Sequence, residues 1–139
     1  MGFFKNNNNI YTFGVDSSLN FWQINNVNDS VNFTILKKLR IKNTIINNIY
    51  FSSDGKLFAT ISKDTIIRIW DMNFKIIKEL KDFKTMITAV SFSPDSKLIL
   101  SVLQDNTGIV YDIDGNKIGI LKGHSDFINN ANFSYNSKY

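Results

Sequence analysis

The sequence predicts an all-β chain built from small four-stranded antiparallel sheets, and three observations predict it. Short runs rich in Ile, Val and aromatic residues alternate with turn residues, as in "IINNIYF", "KLFATI", "TIIRIW" and "FKIIKEL" between residues 45 and 80. Such runs, bounded by Ser, Asp, Gly and Asn, are the signature of strands joined by tight turns. A Phe before a polar turn recurs in "FSSDGK", "FSPDSK" and "FSYNSK" and, degenerate, in "FFKNNN", starting at Phe51, Phe92, Phe133 and Phe3. The separations are 48, 41 and 41 residues, and a period near 40 marks a repeat architecture. Finally, Thr60, Asp64 and Trp70 are spaced by four and six, as are Ser101, Asp105 and Tyr111, and Thr12, Asp16 and Trp22.

Taken in order, Phe3 aligns with the end of a first strand, so the first unit opens inside that strand. The second unit supplies strands over 45–51, 56–61, 65–70 and 74–80, and the third repeats them about 41 residues on. Antiparallel hairpins follow from the short connections. Pro94, the only proline, stands second in Ser93-Pro94-Asp95-Ser96, where a type I turn prefers it. In "DIDGN" (112–116), Gly115 and Asn116 are expected to supply left-handed turn conformations. Nothing reads as a helix. In the third strand of the second unit, Ile67 and Ile69 face one way and Ile66 and Trp70 the other, so the sheet is expected to be covered on both sides, as stacked sheets would be. The first unit is seven residues longer than the others. Its extra length falls within "QINNVNDSVN" (23–32), expected to be a projecting polar loop.

Composition narrows the function classes. The 139 residues suffice for a core, and no cysteine is present, which removes disulfide frameworks and thiolate metal sites. No apolar run reaches the length of a membrane span, and the N-terminus lacks a secretory pattern, so an intracellular, cytoplasmic chain is expected, nuclear residence being compatible. His124 is the one histidine, which leaves no His-based triad or His-rich metal site within one chain, and no Gly-rich phosphate loop is present. No enzyme activity, cofactor or metal is expected. The net charge of +4 and a basic strip at Lys37, Lys38, Arg40 and Lys42 make nucleic acid an alternative partner, although Lys on a strand edge also discourages edge-to-edge pairing.

With "LKGHSDFINNANFS" (121–134) placed beside "DTIIRIWD" (64–71), the chain resembles the WD-repeat family of β-propellers, with about three repeats. The resemblance implies a propeller segment of four-stranded blades, incomplete as a single closed ring. A partial blade is expected over 1–42, blades over 43–82 and 83–122, and the first strand of a further blade over 123–139. It also implies a buried hydrogen-bonded tetrad of His, Ser/Thr, Asp and Trp in each blade. Thr12, Asp16 and Trp22, then Thr60, Asp64 and Trp70, then Ser101, Asp105 and Tyr111 stand at those positions. Lys42 and Phe83 replace the His of the second and third units, the His position of the first precedes Met1, and only His124 matches the Gly-His pair. No complete tetrad is expected, so Asp64 and Asp105 are expected to accept from the backbone of their own turns.

In this family partners usually meet the loops leading into the first strands and the turns between second and third strands. The resemblance therefore points to Lys42, Thr44, Ile45, Lys63, Thr85, Met86, Gln104, Asp126 and Phe127, with Val15, as partner-binding residues. Met86 and Phe127 are the apolar anchors among them, of a type that interfaces enrich. The expected function is a non-catalytic protein-interaction scaffold. The alternatives are a structural piece of a large ribonucleoprotein assembly and a sensor segment of a larger multidomain protein. Uncovered blade faces would expose apolar surface, so self-association or a neighbouring chain is expected to complete the propeller.

Overall fold

The computed structural model describes residues 2–3, 9–27 and 30–135. It is all-β, with no helix among the described residues. The order is β1 (Gly2–Phe3), β2 (Asn9–Phe13), β3 (Ser18–Val27), β4 (Ser30–Arg40), β5 (Ile46–Phe51), β6 (Leu57–Ser62), β7 (Ile67–Asp71), β8 (Ile76–Leu80), β9 (Ile87–Phe92), β10 (Leu98–Leu103), β11 (Gly108–Asp112) and β12 (Lys117–Leu121). These strands form three antiparallel sheets of four, each in sequence order and none closed into a barrel. Strand content and sheet topology agree with the expectation, because period-2 apolar runs and turn residues are local signals. The markers at 4–8 and 136–138 lie outside the described residues.

The chain divides into two compact units, 1–46 and 47–139. The first contains the sheet β1 to β4. Leu19 and Phe21 of β3 are buried on one face of it, and Ile10 of β2, opposite Trp22 in the ladder, is buried on the other. Its β2–β3 turn is fixed by Asp16, which accepts from the Ser18 amide and hydroxyl at 3.1 and 2.8 Å. The Ser17 hydroxyl donates to the Thr44 carbonyl.

In this unit the structure corrects the reading of 23–32. The inserted residues do not form a loop; they lengthen the β3–β4 ladder, with Gln23 opposite Thr34, Ile24 opposite Phe33 and Val27 opposite Ser30. Asn28 and Asp29 lie outside the described residues. Asparagine content suggests a loop, but Gln23, Asn25, Asn32 and Thr34 fall on one face of the ribbon while Ile24 and Phe33 line the other. Asn25 Nδ2 donates across the ribbon to Thr34 Oγ1 at 3.0 Å.

In the second unit the sheets β5–β8 and β9–β12 pack through one apolar core. It contains Ile61, Ile67 and Ile69 from one sheet and Ile87, Val90, Ile99 and Ile109 from the other, with Phe83 and Tyr111. Both faces of β7 are buried, with Ile67 and Ile69 on one and Trp70 beside Arg68 on the other, so apolar residues occupy both. Phe58, fully buried, has ring centroids 5.7 Å from Phe51, 5.9 Å from Trp70 and 5.8 Å from Phe74.

The "FSSDGK" and "FSPDSK" markers fold alike. The Ser52 hydroxyl donates to Asp54 at 2.7 Å and accepts from the Leu57 amide at 2.9 Å. The Ser93 hydroxyl donates to Asp95 at 2.6 Å and accepts from the Leu98 amide at 2.9 Å. Each turn ends on a left-handed residue, Gly55 (φ 70°) or Ser96 (φ 59°). The two turns are joined by the Asp54 amide, which donates to Ser96 Oγ at 3.2 Å.

Two further corrections concern the end of the chain. In the 112–116 turn only Gly115 is left-handed (φ 85°); Asn116 instead donates its amide and its Nδ2 to the Asp112 carboxylate at 2.7 and 2.8 Å. Residues 123–135 carry no strand, where the first strand of a further blade was expected. A strand is stabilised by its ladder, and among the described residues no segment pairs with this one.

Candidate interaction site

The tetrad-like residues occupy equivalent places in the three sheets but solve their bonding differently. Trp22 Nε1 donates to Thr12 Oγ1 at 2.9 Å, and Trp70 Nε1 donates to Thr60 Oγ1 at 3.0 Å in a fully buried pair. In the third sheet Ser101 donates to the Ile109 carbonyl at 3.1 Å instead. There Phe83 and Tyr111, the residues in place of His and Trp, meet edge to face at 5.9 Å and 70°. An aromatic contact thus stands where the family pattern has a polar one. Burial raises the Tyr111 phenol above its ordinary pKa, with Asp82 nearby adding to the effect.

Asp105 accepts from the Thr107 amide at 3.2 Å and from its hydroxyl. Asp64 accepts from the Ile66 amide at 3.3 Å and, more closely, from Arg68 Nη2 at 2.7 Å. Arg68 also donates through Nε to Glu79 at 3.0 Å, and Lys81 lies 2.7 Å from Glu79. The Lys81 ammonium holds the Glu79 carboxyl below its usual range, with Arg68 contributing. Arg68 was not singled out in the sequence, yet it stands four residues from Asp64 and directly opposite Glu79 in the ladder. His124 is exposed.

The loop residues separate into buried and presented groups. In the first unit Thr44 is buried and Ile45 half-buried, while Lys42 and Val15 are exposed. In the second unit Lys63 and Asp126 are exposed, and Thr85 is half-buried with its hydroxyl buried. Met86, Gln104 and Phe127 come together. They line one depression of about 330 Å³ with Thr88, Ile128 and Asn129.

Its geometry is set by the backbone. The Gln104 amide donates to the Met86 carbonyl at 2.9 Å, tying the β10–β11 turn to the loop before β9. Thr88 stands two residues beyond Met86 on β9, so the two share a face, and its hydroxyl donates to the Val102 carbonyl at 3.2 Å. Asp126 accepts from the Phe127 amide at 2.7 Å. Met86 is 52% exposed and Phe127 64%, a pair of large apolar side chains presented around polar Gln104 and Asn129. The period-2 spacing from Met86 was the one signal in the sequence for Thr88; Ile128 and Asn129 had none.

Among the described residues no helix is long and apolar enough to cross a membrane, and no three His, Cys, Asp or Glu side chains stand close enough to hold a metal ion. Comparison with curated proteins finds no match. The family model described as WD domain, G-beta repeat matches residues 34–71 and 74–112. Each match begins in the outermost strand of one sheet and runs through three strands of the next. Repeats of this family generally mediate protein–protein interaction or scaffolding and are typically non-catalytic. With more than half of its residues matched and its strands in three four-stranded blades, the chain belongs to the WD40 repeat family.

Proposed function

We propose that this chain is a non-catalytic interaction scaffold whose loops receive a partner protein at the depression around Met86, Gln104 and Phe127. The observation that carries the reading is the convergence of these three residues, from three separate connections, on one depression. Exposed Met and Phe beside amide side chains supply what a protein interface uses at its centre, adaptable apolar contact with a few oriented polar groups. Lys63, Asp126 and Thr85 would form the polar rim.

The test is affinity capture with the wild-type chain and with Met86→Glu combined with Phe127→Glu. Both side chains are exposed, so the double variant is expected to keep the wild-type melting temperature and to lose specific partners. Ile118→Glu, at another exposed apolar position on β12, is expected to retain them. Partners kept by the double variant and lost from Ile118→Glu would contradict the assignment.

A further inference from the structure

The extended β3–β4 ribbon of the first unit has two unlike faces. Its ladder sets Trp22 opposite Ile35 and Ile24 opposite Phe33, and Val31 stands two residues before Phe33 on β4, so these residues share one face. Gln23, Asn25, Asn32 and Thr34 share the other. On β4 the apolar side chains are presented to solvent: Val31 and Phe33 are each 57% exposed and Ile35 49%. β4 is also the last strand of its sheet, so one of its edges carries backbone donors and acceptors that no strand of the sheet takes up.

We propose that two copies of this chain associate by antiparallel pairing of their β4 edges, centred on Phe33, joining two four-stranded sheets into one of eight strands. Self-complementarity selects a second copy as the occupant. Pairing centred on Phe33 sets Phe33 against Phe33, Val31 against Ile35 and Asn32 against Thr34. Within Val31–Ile35, apolar residues then meet apolar ones on one face and polar residues meet polar ones on the other. A one-residue slip would set Val31 against Thr34 and turn the two copies' apolar faces to opposite sides.

Charge sets the direction. Ser30–Leu36 contains neither a charge nor a proline, and Lys37, Lys38 and Arg40 follow it on the same strand. A parallel pair in register would set each of these cations beside its copy, which is destabilising; the antiparallel pair moves the two clusters to opposite ends. The strip thus guards the C-terminal part of the edge and leaves Val31–Ile35 open. The extra residue in the ladder at Leu36 ends the regular edge at the same point. The closed twofold contact uses the same patch on both copies. Its short ladder makes the dimer reversible and concentration-dependent.

The experiment is sedimentation velocity over a concentration series on wild type, Phe33→Lys and Ile118→Lys, with circular dichroism to establish folding. The wild-type mass is expected to rise from monomer to dimer. Phe33→Lys is expected to need roughly tenfold or more protein to dimerise, corresponding to about 1.4 kcal/mol, and Ile118→Lys to behave as wild type. Because the chain has no cysteine, a short bismaleimide reagent supplies a second readout. It is expected to join two copies of Phe33→Cys but not of Lys37→Cys, whose sites would stand about 26 Å apart across the pair. The proposal is overturned by a wild-type chain monomeric throughout, by dimerisation insensitive to Phe33→Lys or abolished by Ile118→Lys, or by efficient linking at Lys37→Cys. Mass gained only on adding a different polypeptide would overturn it in favour of a foreign strand on this edge.

Discussion

Arg68 Nη2 lies 2.7 Å from the Asp64 carboxylate, and the same guanidinium reaches Glu79 through Nε at 3.0 Å. The turn Asp of the middle blade is therefore neutralised by a donor from its own blade. The Arg68 side chain is only 11% exposed, so this fork is more shielded than a surface ion pair. Arg68→Lys keeps the charge but cannot hold both carboxylates in one planar fork. It is expected to cost about 1–2 kcal/mol, read from urea denaturation. A midpoint unchanged from wild type would show that charge alone suffices.

The two Trp–Thr bonds differ in burial, which gives an internal comparison. Thr60→Val preserves shape and leaves the buried Trp70 N–H without its acceptor, at an expected cost of about 1–3 kcal/mol. Thr12→Val acts on a half-buried indole that water can reach, and its cost is expected to be smaller. Equal losses in thermal or urea melts would remove burial as the cause.

Backbone strain predicts a stabilising change. Thr65 is β-branched yet has φ of 58°, a conformation in which the equivalent turn of the next blade has Asn106 (φ 67°). Asparagine adopts the left-handed region more readily. Thr65→Asn is expected to raise stability by about 0.5–1 kcal/mol, and a lower melting temperature would count against strain at this turn.

Acid should weaken the fold through its turns. Hydrogen bonds from the Ser18, Ser93 and Asn116 side chains lower the pKa of Asp16, Asp95 and Asp112 respectively. At Asp54 burial pushes upward, but the Ser52 hydroxyl and the Lys56 amide outweigh it. Each folded-state pKa lies below its unfolded value, so the stabilisation is complete above the ordinary carboxylate range near pH 4 and is lost as pH falls through the folded values. Melting temperature is expected to hold from neutrality to about pH 5 and then to drop. Asp95→Asn, which keeps an acceptor for Ser93 without titrating, is expected to drop less steeply.

Much of this architecture was legible because its signals are local. The Ser52 and Ser93 turns announce themselves by Ser, Asp and Gly or Pro at fixed positions, and β5 to β12 lie between such turns. The extended β3–β4 ladder was hidden because asparagine-rich residues look the same in a loop and on the wet face of a ribbon. Arg68 was missed because its partnership depends on the register that sets it opposite Glu79. At the candidate site, Met86, Gln104 and Phe127 were found through their places in the repeat. Ile128 and Asn129 entered through the path of residues 123–135, which follows no strand pattern.

The interaction claim is tested most directly by hydrogen exchange on the chain with and without a purified captured partner. The account predicts slowed exchange over Thr85–Thr88, Leu103–Asp105 and Asp126–Asn129, the connections that line the depression. Protection confined to β8 or β12, with these three connections exchanging as in the free chain, would contradict it.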